Sequence, residues 1–451
     1  MSESLTCLVT GTTGYVGGRL APRLLERGHR VRALARTPSK LSDAPWAKEA
    51  HAEVVRGDLS DRDSLIKAFA GVDVVYHLVH SMSTDSDFAA EERRSAENVV
   101  AAAKHCKVSR IVYLGGLHPT GTELSEHLAS RAEVGDILID SSIETVALQA
   151  GTLIGSGSAS FELIRHLTER LPAMTTPRWV HNKIQPIAVD DALHYLVEAA
   201  TASVPSSRTW DIGGPDVLEY GDMMQVYAEV AGLRPRVMVV LPYLTPALAS
   251  RWVRFVTPIR GKIARPLIES LECDAVCRDR AVDAIIDRPR GGLTPYALAV
   301  ARTLERSQRG DGAAPWTNAS PDISAAEPIP TDPAWAGEEM FESTTRRTER
   351  GTASTVWDDL RATARRRGEI VDARRPEFLR VRLSDTKFGR AYVDHTVVES
   401  RGSRTTVDIV TTTRYFPRGL AGLVYWRVGS PLRALGVPGF DPFREEPARR
   451  A

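Results

Sequence analysis

An α/β fold, with a doubly wound parallel sheet and a smaller C-terminal α+β module, is what this sequence predicts. Three observations lead there. Strand-like apolar runs alternate with helix-spaced apolar residues through residues 1–150, the pattern of a parallel sheet covered by helices on both faces. A glycine-rich turn joins the first such run to the first helical stretch. A stretch rich in Gly, Pro, Ala, Ser and Asp at 308–335 then sets off a short second pattern of helix, strands and helix.

In order, Thr6–Thr10, Val31–Ala35, Ala52–Val55, Val72–Leu78, Arg110–Leu114 and Thr145–Gln149 read as strands. Between them Leu20, Leu24 and Leu25, then Leu65, Ile66 and Phe69, then Val99, Val100 and Ala103 recur at helical spacing. Pro22 falls inside the first helix and removes one backbone donor, so a local bend is expected. From about 151 to 305 the pattern is more mixed and helical, and this part is assigned to a substrate or lid region of the same domain, 1–305. Within it Val237–Pro258 is apolar and aromatic but broken by Pro242, Pro246 and Arg251, so it reads as a lid or pocket wall rather than a membrane span. A linker covers about 306–335. Beyond it a helix at Ser354–Arg366, strands at Phe378–Leu383, Gly389–Glu399 and Arg404–Tyr415, and a helical aromatic segment at Gly419–Leu435 make up the small module at 336–446.

The 451 residues are 43% apolar and 25% charged, which suits two or three folded domains and excludes wholesale disorder. The 58 basic and 57 acidic side chains leave a net charge of +1, so no nucleic-acid partner is expected. The balance is uneven along the chain: residues 336–451 hold 22 basic and 16 acidic side chains, and the remainder holds 36 and 41. Such a basic module could rest on an anionic membrane surface or be a solvated Arg-rich surface. Cys7, Cys106, Cys273 and Cys277 are too few for a disulfide scaffold, and no His/Cys/Asp spacing suggests a metal site. No basic-then-apolar leader opens the chain and no apolar run reaches roughly 20 residues. The expected location is the cytoplasm, with peripheral membrane contact through the basic module as a further expectation.

The clearest chemical signal is Thr10-Gly11-Thr12-Thr13-Gly14-Tyr15-Val16-Gly17, directly after the first strand. Gly11 allows a tight turn, Gly14 lets the backbone approach a pyrophosphate, and Gly17 lets helix and strand pack closely. Free N–H groups at the helix start hold the anion. In this strand–turn–helix setting the spacing is the fingerprint of a dinucleotide-binding, Rossmann-type sheet, and Thr12, Thr13, Tyr15 and Val16 are expected at the cofactor beside the glycines. An NAD-selective site places Asp or Glu at the end of the second strand to accept from the ribose 2′-OH. Arg36 stands there instead, with Lys40 nearby, and offers a cation to a 2′-phosphate, so NADP(H) is favoured over NAD(H). Asp58 and Leu59 are placed to flank the adenine. Leu78, Val79 and Gly115 follow the next strands, where ligands gather in such sheets.

With Gly57-Asp58-Leu59, Val74–Leu78, Ile111–Leu114, Pro186–Asp191 and Trp210–Pro215, the loop resembles the extended and atypical short-chain dehydrogenase/reductase superfamily over about residues 5–300. In more detail the chain is similar to bacterial atypical members, NmrA-like or epimerase-like. These bind NAD(P) and carry a fused C-terminal domain of helix-grip, polyketide-cyclase-like type. The stretches that carry this likeness are His80-Ser81-Met82, Asp87-Phe88 with Arg93 and Asn98, His127-Leu128 with Arg131, and Ala150-Gly151. Gly155–Ser158, Pro177–Val180 and, at the far end, Phe416–Trp426 also match. The Trp-rich first half of the fused domain has no counterpart, so a truncated module is expected. A distant similarity reaches the nucleotide-binding accessory subunit of respiratory NADH dehydrogenase and redox-sensing regulators.

The resemblance implies chemistry from which this chain departs. Members that oxidise or reduce substrates use a Ser or Thr and a Tyr-x-x-x-Lys, in which Lys lowers the Tyr pKa and Tyr passes a proton while nicotinamide passes hydride. Here the Ser position reads Leu114-Gly115-Gly116-Leu117, and the other reads His127-Leu128-Ala129-Ser130-Arg131. Spacing of four puts His127 and Arg131 on one helix face. His127 is a candidate substitute acid, because an ordinary His titrates near neutrality; the other reading makes it structural or a cofactor contact. Arg131 stays charged and could hold a ribose or phosphate, but it is no proton relay. His80, just past the fourth strand, is a second acid candidate, and His77 reads as plugging a packed turn. No Gly-x-Ser-x-Gly elbow suggests a hydrolase. The leading function is an NAD(P)H-dependent oxidoreductase acting on a small hydrophobic carbonyl or quinone with a non-standard proton donor. The alternatives are a non-catalytic NADP(H)-binding redox sensor or accessory subunit of a membrane-associated complex, and a sugar-nucleotide epimerase or dehydratase, which would also need the missing Tyr and Lys.

Overall fold

The structure, a computed structural model, describes residues 4–79, 88–121, 124–241, 256–259, 261–309, 339–383, 388–399 and 406–434. Two compact units result, one drawn almost wholly from residues up to 308 and the other from those after 338.

The first unit opens with β1 (Thr6–Thr10), α1 (Tyr15–Glu26), β2 (Arg30–Ala35), β3 (Ala52–Arg56), α2 (Arg62–Phe69) and β4 (Val74–His77). It continues with α3 (Phe88–Cys106), β5 (Arg110–Gly116), α4 (Glu126–Ile139) and β6 (Glu144–Ala150). These six strands and a seventh, Arg208–Ile212, form one sheet in the order Arg208–Ile212, β6, β5, β4, β1, β2, β3, and every pairing in it is parallel. The strands are apolar on both sides because both faces are covered. Cys7 and Val9 of β1 pack with Leu20 and Leu24 of α1, while Leu8 between them packs on the opposite face with Leu65 and Phe69 of α2 and Val99 of α3.

Local chemistry starts the helices. The Asp61 carboxylate accepts from the Asp63 and Ser64 backbone N–H groups ahead of α2, and Ser125 caps α4 through the Leu128 N–H. Pro22 does not break α1, which is one helix from Tyr15 to Glu26.

Three features go beyond the sequence pattern. The sequence pattern gives no sign of the strand Arg208–Ile212, which closes the sheet beside β6. The described start of the expected lid, Val237–Val240, is a strand paired in parallel with Ala173–Thr176; residues 242–255 of that stretch lie outside the described residues. The helix Tyr296–Arg309 occupies the first residues of the expected linker, and 310–338 lie outside the described residues.

The second unit is a five-stranded antiparallel sheet in the order Phe341–Arg350, Thr406–Pro417, Gly389–Glu399, Phe378–Leu383, Gly368–Arg374. The helix Ala353–Arg367 begins with a reciprocal Thr352/Thr355 capping box and lays Val356, Trp357, Leu360 and Ala364 against Leu379, Val381, Val397 and Ile409. Tyr415 and Trp426 stack 5.2 Å apart in a smaller core beside the helix Gly419–Ala434. Helix, strands and closing helix thus lie where expected. Phe341–Arg350 and Gly368–Arg374 are additional, so the sheet is larger than the sequence suggested. No helix among the described residues is long and apolar enough to cross a membrane.

Candidate cofactor and active site

The strand ends build the site. At the C-terminal edge of the parallel sheet a cavity of about 870 Å³ runs from the ends of β2 and β3, past the turn after β1, to the ends of β5 and β6. A crevice at this edge is where ligands bind in open α/β sheets.

The glycine turn forms its middle. Gly11 has φ +69°, a left-handed conformation that favours glycine, and its carbonyl accepts from the Gly14 N–H at 2.9 Å. A Cβ on Gly17 would stand 2.7 Å from the Gly11 carbonyl carbon, so only a bare Cα lets α1 start this close to the turn. No side chain caps α1 and its first turn carries no acidic residue; its leading N–H groups and dipole are left for an anion. Thr10 fixes the turn from below, donating from Oγ1 to the Tyr76 carbonyl and accepting from the Leu78 N–H. Gly11, Thr13, Gly14, Tyr15, Val16 and Gly17 all line the cavity. Thr12 does not, and its fully buried Oγ1 has no partner among the described residues.

At one end stand Arg36, Asp58 and Leu59. Asp58 accepts from both the backbone N–H and the hydroxyl of Ser60; chiefly the backbone bond, with help from the Arg36 charge, holds its carboxyl below the usual range. Asn98 of α3 donates to the Leu59 carbonyl at 2.9 Å and so ties this loop to the helix. Arg36 has no carboxylate neighbour on its own strand end, which reads Ala35-Arg36-Thr37.

At the other end the cavity is bounded by Leu78, Val79, Gly115, Gly116 and Arg131, then by Gly151, Thr152, Leu153 and Ser158. Ile263 and Leu267, from the helix Gly261–Glu269, supply apolar wall there; Val237–Val240 does not line it. His77 lines the cavity although it is 2% exposed, and burial drives its pKa down to about 4, so it is neutral. Its Nδ1 has no partner among the described residues.

Of the two acid candidates, His127 is buried with its ring stacked on Phe88 at 4.3 Å and is not part of the cavity lining. Burial, and then the Arg131 charge, lowers its pKa. His80 lies outside the described residues.

Sequence reasoning missed one wall of the site. Glu92, Ser95 and Asn98 line the cavity from α3 together with Glu91 and Arg94. Their spacing of three on a helix that otherwise buries Ala96, Val99 and Ala103 was the available signal. Glu92 is 8% exposed and accepts from Ser130 Oγ at 2.6 Å.

Seven parallel strands, a bare helix start behind a glycine turn, and a cavity crossing the strand ends define a Rossmann-type dinucleotide-binding domain. Residues 11–165 match the family model of NAD(P)H-binding proteins. Among curated proteins, the chain is 34% identical over 109 residues to the 4-hydroxy-2-methyl-3-oxo-4-farnesyl-3,4-dihydroquinoline-1-oxide ketoreductase of Stigmatella aurantiaca, covering 24% of this chain and 32% of that protein. It is 35% identical over 116 residues to a 3β-hydroxysteroid dehydrogenase/Δ5→4 isomerase of Mycobacterium tuberculosis, covering 24% and 30%. The chain thus spans about a third of the length of these curated relatives. Among solved structures, the triphenylmethane reductase of Citrobacter sp. complexed with NADP(H) superposes with a TM-score of 0.53 at 20% identity, over 66% of this chain and 99% of that one. An NADPH-dependent quinone oxidoreductase from Escherichia coli gives 0.53 at 17% identity, over 66% and 99%. At these identities the likeness establishes the fold.

Proposed function

We propose that the protein is an NADP(H)-preferring oxidoreductase that reduces a small hydrophobic carbonyl or quinone. The observation that carries this is a cavity that joins the glycine turn and Arg36 to an end partly walled by Leu153, Ile263 and Leu267. A dinucleotide laid across the strand ends would place its adenosine half at Arg36, Asp58 and Leu59. Its pyrophosphate would meet the start of α1, and its nicotinamide half would lie near Gly115, Arg131 and Gly151. When bound in reduced form it supplies a hydride equivalent. Arg36 offers its guanidinium to a 2′-phosphate, the glycine turn offers backbone donors, and Leu153, Ile263 and Leu267 offer apolar surface to a substrate. The names of the relatives, a ketoreductase and a quinone oxidoreductase, support the carbonyl or quinone class.

The test is direct. NADPH should bind tighter than NADH, and Arg36→Ala should remove most of that preference, roughly tenfold or more, the worth of one charge-assisted hydrogen bond to the 2′-phosphate. Purified protein should then oxidise NADPH when offered quinones or ketones. Equal affinity of the wild type for both dinucleotides would sink the Arg36 role, and no turnover across a broad acceptor panel would sink the enzyme reading.

One observation favours a second reading, a non-catalytic NADP(H)-responsive sensor or accessory subunit: the Ser and Tyr-x-x-x-Lys set is missing, and His127 is packed on Phe88. That reading requires NADPH to change the protein's shape or its partners, which hydrogen exchange with and without NADPH would register. The basic charge of residues 336–451 supports peripheral contact with an anionic membrane. Co-sedimentation of the full chain with anionic but not with neutral liposomes, abolished at high salt, is the expected result.

A further inference from the structure

We propose that Arg131 is the oxyanion-binding residue of the site, and that the hydride acceptor is a quinonoid or vinylogous carbonyl whose reduced form is a delocalised oxyanion. This rests on the oxidoreductase reading and names its substrate class.

Arg131 lies where the reacting end of the cavity meets β5. Its Nη1 is 3.7 Å from where a Cβ on Gly116 would stand, which sets the guanidinium beside the end of β5. The turn of α4 that carries it is fixed from two sides. Ser130 donates to Glu92 of α3, and the Tyr113 hydroxyl of β5 donates to the Arg131 carbonyl at 3.0 Å. Tyr113 is almost wholly buried and its phenol is pushed up in pKa by burial, so it stays a donor. The guanidinium itself has no carboxylate at ion-pair distance and no hydrogen-bond acceptor among the described residues. Two neighbouring elements therefore hold in place a cation that faces an open cavity. Placing a fixed charge where negative charge develops is the usual design of an oxyanion site.

The choice of an arginine decides the substrate class. A guanidinium stabilises an anion but does not surrender a proton, and His77 in the same wall is neutral. An isolated ketone reduced here would become an alkoxide, which needs an acid at once. A quinone or vinylogous carbonyl does not. The C–H bond of the reduced dinucleotide breaks, one hydrogen and two electrons pass to the acceptor, and one acceptor oxygen becomes a phenolate- or enolate-type anion. With a pKa of about 10, like that of a Tyr phenol, this anion can wait against Arg131 and take its proton from water.

The experiment compares Arg131→Met and Arg131→Lys on two acceptors. One is 1,4-naphthoquinone, whose hydride adduct is anionic; the other is a cationic triarylmethane dye, whose adduct is neutral. Arg131→Met should lower kcat on naphthoquinone by about 100-fold or more, the usual cost of removing an oxyanion contact. The dye should lose far less, Arg131→Lys should recover part of the loss, and NADPH affinity by fluorescence should change far less than kcat. Equal losses on both acceptors, matched by weaker NADPH binding, would overturn the proposal and make Arg131 a ribose or phosphate contact. A separate readout needs no turnover: 4-nitrophenolate, above its pKa, should bind the wild type and Arg131→Lys but not Arg131→Met, as seen in its absorbance. If the wild type does not bind it, the anion site is refuted; if it binds but no acceptor is reduced, the anion site stands and the oxidoreductase reading fails. Glu92→Gln, which keeps an acceptor for Ser130, should lose less naphthoquinone activity than Glu92→Ala. The reverse order would overturn the positioning role of Glu92.

Discussion

A bare Cα and a buried imidazole illustrate how single residues set this site. Gly17 stands where a Cβ would collide with the Gly11 carbonyl carbon at 2.7 Å. Gly17→Ala should therefore push α1 away from the turn, costing about 1–3 kcal/mol of stability and weakening NADPH binding by at least about tenfold. Fluorescence titration of the variant checks this, and unchanged affinity would remove the close approach from the account. His77 acts through pH. Its pKa is about 4 in the folded protein because burial disfavours the charged ring, against about 6.5 in an unfolded chain. Between these values the unfolded state binds the extra proton. Stability is thus fully present above about pH 6.5 and declines as the pH falls toward 4, by about 3 kcal/mol from this group. His77→Phe keeps a ring over Tyr113, which the His77 ring stacks on at 6.0 Å, and removes the titration. Urea unfolding at pH 7 and pH 5 should show a shallower decline in the variant than in the wild type; parallel declines would count against the buried neutral histidine.

At the scale of elements, helices carry the site by tying loops together. Asn98 of α3 reaches the Leu59 carbonyl, and without that bond the loop after β3 loses its only side-chain tie to α3 among the described residues. Asn98→Ala should weaken NADPH binding several-fold, in line with about 1 kcal/mol for one hydrogen bond, with a smaller effect on kcat than on affinity. A matching fall in both would point to a role at the reacting end instead. The last strand is held in a comparable way. Arg278 makes a two-pronged bond to Asp211, at 2.9 and 2.6 Å, and also reaches Gln149 of β6. The Asp211 carboxylate is 2% exposed, so Arg278→Ala would leave it buried without its cation. Loss of about 2 kcal/mol or more is expected in denaturant titrations.

The whole molecule holds two separate sets of cores. The sheet and helices of the first unit bury theirs on both faces of β1, while Trp357 and its neighbours form another in the second unit. Each can lose stability without the other. Trp357 is 2% exposed, so Trp357→Ala should lower the stability of the second unit by about 3–5 kcal/mol. Calorimetry should show one transition moving while NADPH affinity stays at the wild-type value. Loss of NADPH binding would mean that the two units do not fold independently.

Much of the first unit was legible from residues alone. β1, the glycine turn and α1 combine a strand buried from Cys7 onward, a residue that takes positive φ and a helix start without a cap. Each depends on residues close together along the chain, so the glycine-turn part of the cavity followed from sequence order. In the second unit Phe378–Leu383 and Gly389–Glu399 also matched, because their apolar alternation reflects one covered face. Phe341–Arg350 escaped. After Phe341 it reads as polar, and it is a strand because all ten of its residues pair with Thr406–Tyr415, a backbone attachment that leaves little trace in side-chain pattern. Arg208–Ile212 escaped for a related reason, since β6 and Arg278 make it an edge strand.

The sequence by itself determined the class of fold, the glycine cradle and the cation at the end of β2, because these depend on residues close together along the chain. Only the tertiary structure decided the far end of the cavity. It packed His127 against Phe88, brought Glu92 of α3 to Ser130 of α4, and left Arg131 facing the cavity. Those contacts join residues up to 39 positions apart on different helices, and their geometry is set by how α3 and α4 pack on one face of the sheet, which no local pattern encodes.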